Sequence, residues 1–286
     1  QDGIRDVERS RGLGDVYKRQ GFEDNAIGVF SINGTNGRLS FIRSYINGLN
    51  GVRGIQGATA IAISPDGKHL YCAGWKGNSV AAFSIDDTTG LLTYLGYVSN
   101  ERSLWSPSDL EMTPDGKHLY ITAATSDSLT AFKRDPSTGS LSPIGFLKDN
   151  MVGIDGLDWA SSLEITSDGN HILVTAALDD TLTVFKRNSS TGYFTLRGYL
   201  KDGNLGVDGL EGAYSVSISA DDSLVYVAGK DENMVSAFLG SKLSYSYTPY
   251  PTALPTSTPT PSPEPCLLYT SPSPRDLSTS RMPSSD

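Results

Sequence analysis

An all-β fold made of repeated four-stranded antiparallel units is predicted by three patterns that recur at one period. The first is a strand that ends in phenylalanine: DNAIGVF, GNSVAAF, SDSLTAF, DDTLTVF and ENMVSAF. Its phenylalanines, Phe30, Phe83, Phe132, Phe185 and Phe238, stand 53, 49, 53 and 53 residues apart. The second is a turn that leads into a strand: SPDGKHLY from Ser64, TPDGKHLY from Thr113, TSDGNHIL from Thr166 and SADDSLVY from Ser219. The third is a Thr-Gly turn after each phenylalanine strand, in TTGLL, STGSL and STGYF.

Each period divides into four short strands. In the unit that begins at Ser162 they are SLEIT, HILVTAA, TLTVFKR and YFTLRGY, rich in β-branched and aromatic residues. The turns between them have a local cause. In SPDG, Pro65 fixes the first turn dihedral, Asp66 bonds nearby backbone, and Gly67 accepts a positive φ. DPSTG, Asp135 to Gly139, serves the second hairpin in the same way. No segment shows a capped helical period. Four antiparallel strands in each period of about 40–50 residues make a β-propeller blade.

The SPDG-x-x-LY hairpin, the D-N/T-x-V/L-x-x-F strand and the S/T-T-G turn resemble blades of the lactonase-like, YVTN-type β-propeller family over Gly21 to Tyr247. The resemblance implies a ring of about seven blades and, as an activity, hydrolysis of a small lactone. No His–Glu–Arg constellation can be carried over residue by residue. Gly21 to Ile46 is read as the two outer strands of a first blade, with four complete blades after it. That makes about four and a half blades, so a propeller truncated at its N-terminus is expected.

Both ends read as translated sequencing-library adaptor. Ser10 to Gln20, SRGLGDVYKRQ, and Cys266 to Asp276, CLLYTSPSPRD, back-translate to the two strands of one transposon-end adaptor. Residues 1–20 and 266–286 are therefore set apart from the propeller, 21–247, and from a Thr/Pro/Ser-rich linker, 248–265. The natural N-terminus, with any leader, is expected upstream. The linker, TPYPTALPTSTPTPSPEP, suits an extended, soluble stalk. It points to an extracellular or cell-surface location, in a bacterium.

The chain has 23 Lys+Arg and 32 Asp+Glu, a net charge of −9. The two ends hold 7 basic and 6 acidic residues, which leaves 16 and 26 between them. Such an acidic chain is a poor partner for nucleic acid or an anionic membrane, and no apolar run reaches the roughly 20 residues of a spanning helix. Cys72, in HLYCAG, is the one cysteine outside the ends. It reads as a small buried apolar residue.

The blade geometry assigns the loops to two faces. The bottom carries the SPDG and Thr-Gly turns, with His69, His118 and His171 at one repeated position, which argues for a structural role. The top carries the connections between blades and the loops between second and third strands. All three tryptophans, Trp75, Trp105 and Trp159, fall there, with Asp155 and Asp208 among many carboxylates. Aromatic faces and carboxylates suit a sugar-like ligand, or they fill gaps between solvated loops. No metal or other cofactor is expected, although Asp202, Asn204 and Asp208 are candidate oxygen ligands for calcium. Arg53 and Arg102 stand where other connections have Asp155 and Asp208, and are expected to pair with acids of neighbouring blades. Glu111 and Glu164 hold equivalent places on two inner strands and are the acid/base candidates. The leading expectation is a scaffold that binds a small molecule, glycan or protein through its top loops. The alternative is a lactone hydrolase. Whether the chain is an enzyme stays open.

Overall fold

A computed structural model describes residues 16–240, with backbone alone for 16–20. The last part of the expected propeller, 241–247, the linker and the remaining ends lie outside the described residues. Among the described residues, eighteen strands form five antiparallel sheets, each a meander. The first sheet holds β1 (Val16–Gly21), β2 (Ala26–Ile32) and β3 (Leu39–Ile46). The second holds β4 (Ala58–Ile63), β5 (His69–Gly74), β6 (Ser79–Ile85) and β7 (Leu92–Ser99). The third holds β8 (Pro107–Met112), β9 (His118–Ala123), β10 (Ser128–Arg134) and β11 (Leu141–Lys148). The fourth holds β12 (Ala160–Ile165), β13 (His171–Ala176), β14 (Thr181–Arg187) and β15 (Phe194–Lys201). The fifth holds β16 (Ala213–Ile218), β17 (Leu224–Gly229) and β18 (Met234–Leu239). The second, third and fourth sheets have the predicted four-strand order, and the fifth shows its first three strands, the expected fourth falling outside the described residues.

The first sheet differs from its expectation in one respect. Three strands are present rather than two, because Val16–Gly21 pairs in register with Ala26–Ser31. The turn that joins them is closed by Asn25, at φ 52°, whose side chain donates to the Glu23 carbonyl. That pairing satisfies the edge of β2, which would otherwise present a row of open backbone groups. The sheet therefore reaches five residues into the segment read as adaptor.

The core lies between blades. Ile27 and Val29 of β2 pack with Ile61, Leu70 and Phe83 of the second sheet. Tyr71 and Val80 pack with Leu110, Leu119 and Phe132 of the third. Tyr120 and Leu129 meet Leu163, Ile172 and Phe185, and Leu173 and Leu182 meet Val216 and Val225. A middle strand is covered on both faces, which is why HLYCAG and SVAAF read as near-continuous apolar runs rather than alternating ones. Cys72 is fully buried there, and burial raises its thiol pKa far above the usual range.

Candidate functional site

The bottom hairpins are fixed by their own side chains. Ser64 Oγ donates to Asp66 Oδ1 at 2.6 Å and accepts from His69 N at 3.0 Å, while Gly67 takes φ 71°. Thr113 and Asp115 repeat the arrangement. An arginine then crosses from the following blade. Arg134, buried at the end of β10, donates to Asp66 at 2.8 Å, to His69 Nδ1 at 2.7 Å and to the Gly116 carbonyl at 3.1 Å. Arg187 binds Asp115, His118 and Gly169 in the same way. Tyr71 and Tyr120 complete the two seams by donating to the Gly139 and Gly192 carbonyls. Burial opposes ionisation of Asp66 and Asp115, but hydrogen bonds from the hairpin hydroxyl and the arginine outweigh it and hold both at about 2. Burial and then the arginine charge lower His69, and take His118 to about 4. His69 and His118 are thus neutral acceptors in the two inter-blade seams.

Two inter-blade ion pairs sit in these seams, and a third, Lys76 with Glu23 at 3.1 Å, joins the top loops of the first two sheets. The expected top-face pairing of Arg53 and Arg102 with acids does not form among the described ion pairs. Asp155 instead accepts from Tyr199 Oη at 2.7 Å.

At the top, one residue of each blade reaches the next. Asn25, Asn78, Asp127 and Asp180 open their phenylalanine strands with φ between 50° and 56°. Each accepts from a backbone N–H just before the next inner strand: Gly57 at 2.7 Å, Ser106 at 2.9 Å, Trp159 at 3.0 Å and Gly212 at 2.8 Å. Those four donors all have positive φ, at 65°, 55°, 58° and 65°. Glycine adopts that region freely, whereas a bulky residue there is an outlier that costs about 1–3 kcal/mol.

Trp159 nevertheless occupies it. Its ring meets Trp75 with centroids 6.1 Å apart and planes at 58°. Trp75 follows β5 in the second sheet and Trp159 precedes β12 in the fourth, so the contact spans the third sheet. Trp105 stands apart, 48% exposed, with its backbone N–H on Ser126 Oγ. Two of the three tryptophans are therefore brought together.

Carboxylates crowd beside them. Asp149, Asp155 and Asp179 offer oxygens within 4.8 Å of one another, as do Asp202, Asp208 and Glu232 one repeat later. Asn204 is not in that group. Its backbone shapes the connection turn, bonding Lys201 and Val207, and Glu232 from the second-to-third-strand loop takes the third place. The 53-residue period, applied to Asp179, would have found Glu232. Asp149 and Asp202 also hold their own connections closed by accepting from Leu157 N and Leu210 N. Burial, followed by neighbouring negative charge, raises the pKa of Asp149, Asp158 and Glu232. Lys201 lies 3.8 Å from Asp179. Glu111 and Glu164 are half-buried on β8 and β12, opposite Tyr120 and Leu173 in the neighbouring strands.

No helix of the described residues is long and apolar enough to cross a membrane. No curated protein sequence matches the chain. Among solved structures it is similar to a candidate 6-phosphogluconolactonase from Bacteroides uniformis, with TM-score 0.64 and 18% identity over 82% of this chain and 65% of that one. A periplasmic gluconolactonase from Pseudomonas aeruginosa gives 0.66 and 17%, over 82% and 65%. A protein from Lactobacillus plantarum gives 0.66 and 18%, over 79% and 64%. The chain thus spans less than two thirds of the length of each. Residues 23–150 match the family described as lactonase, 7-bladed beta-propeller, so this stretch joins a shared fold to a specific family match, and the chain resembles the lactonase-like β-propellers.

Proposed function

We propose that the chain is part of a hydrolase for sugar-acid lactones. The observation that supports this most is the family match over residues 23–150. A propeller fold alone hosts many activities and would not suffice. Opening a cyclic ester requires water to add to the carbonyl carbon and the ring C–O bond to break, leaving a hydroxy acid. A carboxylate can take the proton of that water. Glu111 and Glu164 are this chain's candidates for the role, and the top-face aromatics and carboxylates its candidates for holding the ring. Acid release from D-glucono-1,5-lactone, followed in a pH-stat, tests the reading. A rate above the uncatalysed one is expected, reduced about a hundredfold or more in Glu111→Gln or Glu164→Gln. A rate equal to that of buffer sinks it.

The contact between Trp75 and Trp159 favours a second reading, a binding scaffold without turnover. Ring ligands or a protein segment would then perturb the tryptophans while no acid is released. The Thr/Pro/Ser run at 248–265 supports an extracellular stalk for either role. Fractionation of cells expressing the natural gene, with the protein found only in cytosol, would reject that location.

A further inference from the structure

We infer that Trp75 and Trp159 form a two-ring platform for a sugar-type ring, and that Trp159 keeps a left-handed backbone position because its ring is needed there. The inference rests on the ring-binding part of the reading above.

The repeat itself supplies the comparison. Gly57 and Gly212 fill the equivalent position in the second and fifth sheets at φ 65°, and Ser106 fills it in the third at φ 55°. At Gly57 and Gly212 an added Cβ would crowd Lys76 and Asp231 respectively. A small residue is therefore the relaxed choice, and the strand that follows forms equally well behind glycine. Trp159 brings both the strain of its φ and a large ring to a place that needs neither for folding.

The backbone is clamped on both sides. Trp159 N donates to Asp127, and the Trp159 carbonyl accepts from Ala177 N. This fixes the exit direction of the side chain. The ring crosses toward Trp75, two sheets away, where a core-filling residue would have been buried among its own neighbours. Both tryptophans instead remain partly exposed.

The chemistry that fits two tilted indoles is a ring with an apolar C–H face and polar edges. Its face stacks, and its hydroxyls donate to nearby carboxylates. Asp158 is adjacent in sequence, and its N–H is held by Asp179 at 2.8 Å, so acceptor groups stand beside the platform.

Saturation-transfer NMR with methyl β-D-glucopyranoside, a ring that cannot be hydrolysed as a lactone, tests the inference on the full chain. Transfer to the ring protons is expected with the native protein, and its loss in both Trp159→Gly and Trp75→Ala. Tyr193→Ala, on the opposite face, should keep it. Trp159→Gly should melt at the same temperature or higher, since glycine is the residue of the sister positions. Retained transfer in Trp75→Ala, or no transfer with the native protein, overturns the platform. A fall of several degrees in Trp159→Gly overturns the strain argument and makes the ring a structural plug. The lactone assay separates the two ideas. Undiminished acid release by Trp159→Gly, with KM unchanged, overturns the platform and leaves the hydrolase standing. Ring binding lost in the variants, with no acid release by any form, does the reverse. If both hold, KM for the lactone should rise about tenfold in Trp159→Gly while kcat changes little.

Discussion

Arg134 and Asp66, 68 residues apart in sequence, face each other at 2.8 Å across the seam between the second and third sheets. The guanidinium is almost wholly buried, at 2% side-chain exposure, while the carboxylate keeps 34%. The same group also serves His69 Nδ1 and the Gly116 carbonyl. One planar fork thus satisfies three acceptors from two hairpins, which an ammonium on a flexible stem cannot match.

Replacing Arg134 with alanine should destabilise the chain by about 2–3 kcal/mol, below the usual cost of breaking a fully buried pair because Asp66 can rehydrate. Arg134→Lys should recover less than half of that loss. Urea unfolding followed by circular dichroism reads both values. A loss under about 0.5 kcal/mol would mean the seam is held by its apolar contacts alone.

The histidines give the seam a pH dependence. His118 titrates at about 4 in the folded chain against 6.5 ordinarily, because burial and Arg187 oppose its charge. Between those values the unfolded chain binds a proton that the folded one does not, so stability falls as pH drops from 6.5 toward 4. Linkage puts this at about 3 kcal/mol across the window. Asp66 and Asp115, held at about 2 against 3.8, add a second loss as pH falls through that lower range. Melting temperature measured from pH 8 to pH 3 should be flat at first and then decline in two stages. A His118→Gln variant should lose much of the upper stage. A decline that begins only below pH 4 would show that His118 protonates freely in the folded state.

The top latch predicts a pair of unequal substitutions. Asp127 accepts from Trp159 N, and sister positions use asparagine for the same bond. Asp127→Asn should therefore cost almost nothing. Asp127→Ala removes the acceptor and leaves at φ 51° a residue without the short polar side chain that eases the left-handed region, for a loss of about 2 kcal/mol. Equal effects from the two variants, measured by urea midpoint at constant slope, would mean that the carboxylate charge matters rather than the acceptor.

These two devices mark what could be read in the sequence and what could not. The SPDG turns, the phenylalanine strands and their four-strand grouping were legible because each rests on bonds between neighbours in the chain. The D-N/T residue was visible only as the mark of a strand start. Its partner is 28 or 32 residues away in the next blade, as with Asn78 and Ser106 or Asn25 and Gly57. Lys-Arg after Phe132 looks like a solvated strand end, yet Arg134 is buried. A signal did exist: Tyr71 and Tyr120 accompany Arg134 and Arg187, whereas the last seam has Leu173 with Gly240. The loss of both members together marks a contact between them. Trp159 was visible as a top-face aromatic, but its meeting with Trp75 depends on the curvature that brings the second and fourth sheets to one mouth.

Glu232, with Asp202 and Asp208, yields a prediction that separates two uses of one triad. Burial and the charges of Asp202, Asp208 and Glu211 raise its pKa, so its ionised form weakens the fold at neutral pH. Because a folded-state pKa above the unfolded value means extra proton binding by the folded chain, this weakening is present above the raised pKa and relieved as pH falls through it. Glu232→Gln should therefore stabilise the chain by about 0.5 kcal/mol at pH 7, the scale of a partly exposed charge interaction, and should change nothing at pH 4. The measurement is a pair of thermal melts at each pH, in chelator and then in millimolar calcium chloride. If the triad only repels, calcium leaves both proteins unchanged. If it ligates calcium, the native chain gains several degrees with the ion, Glu232→Gln does not, and the order of the two proteins at pH 7 inverts.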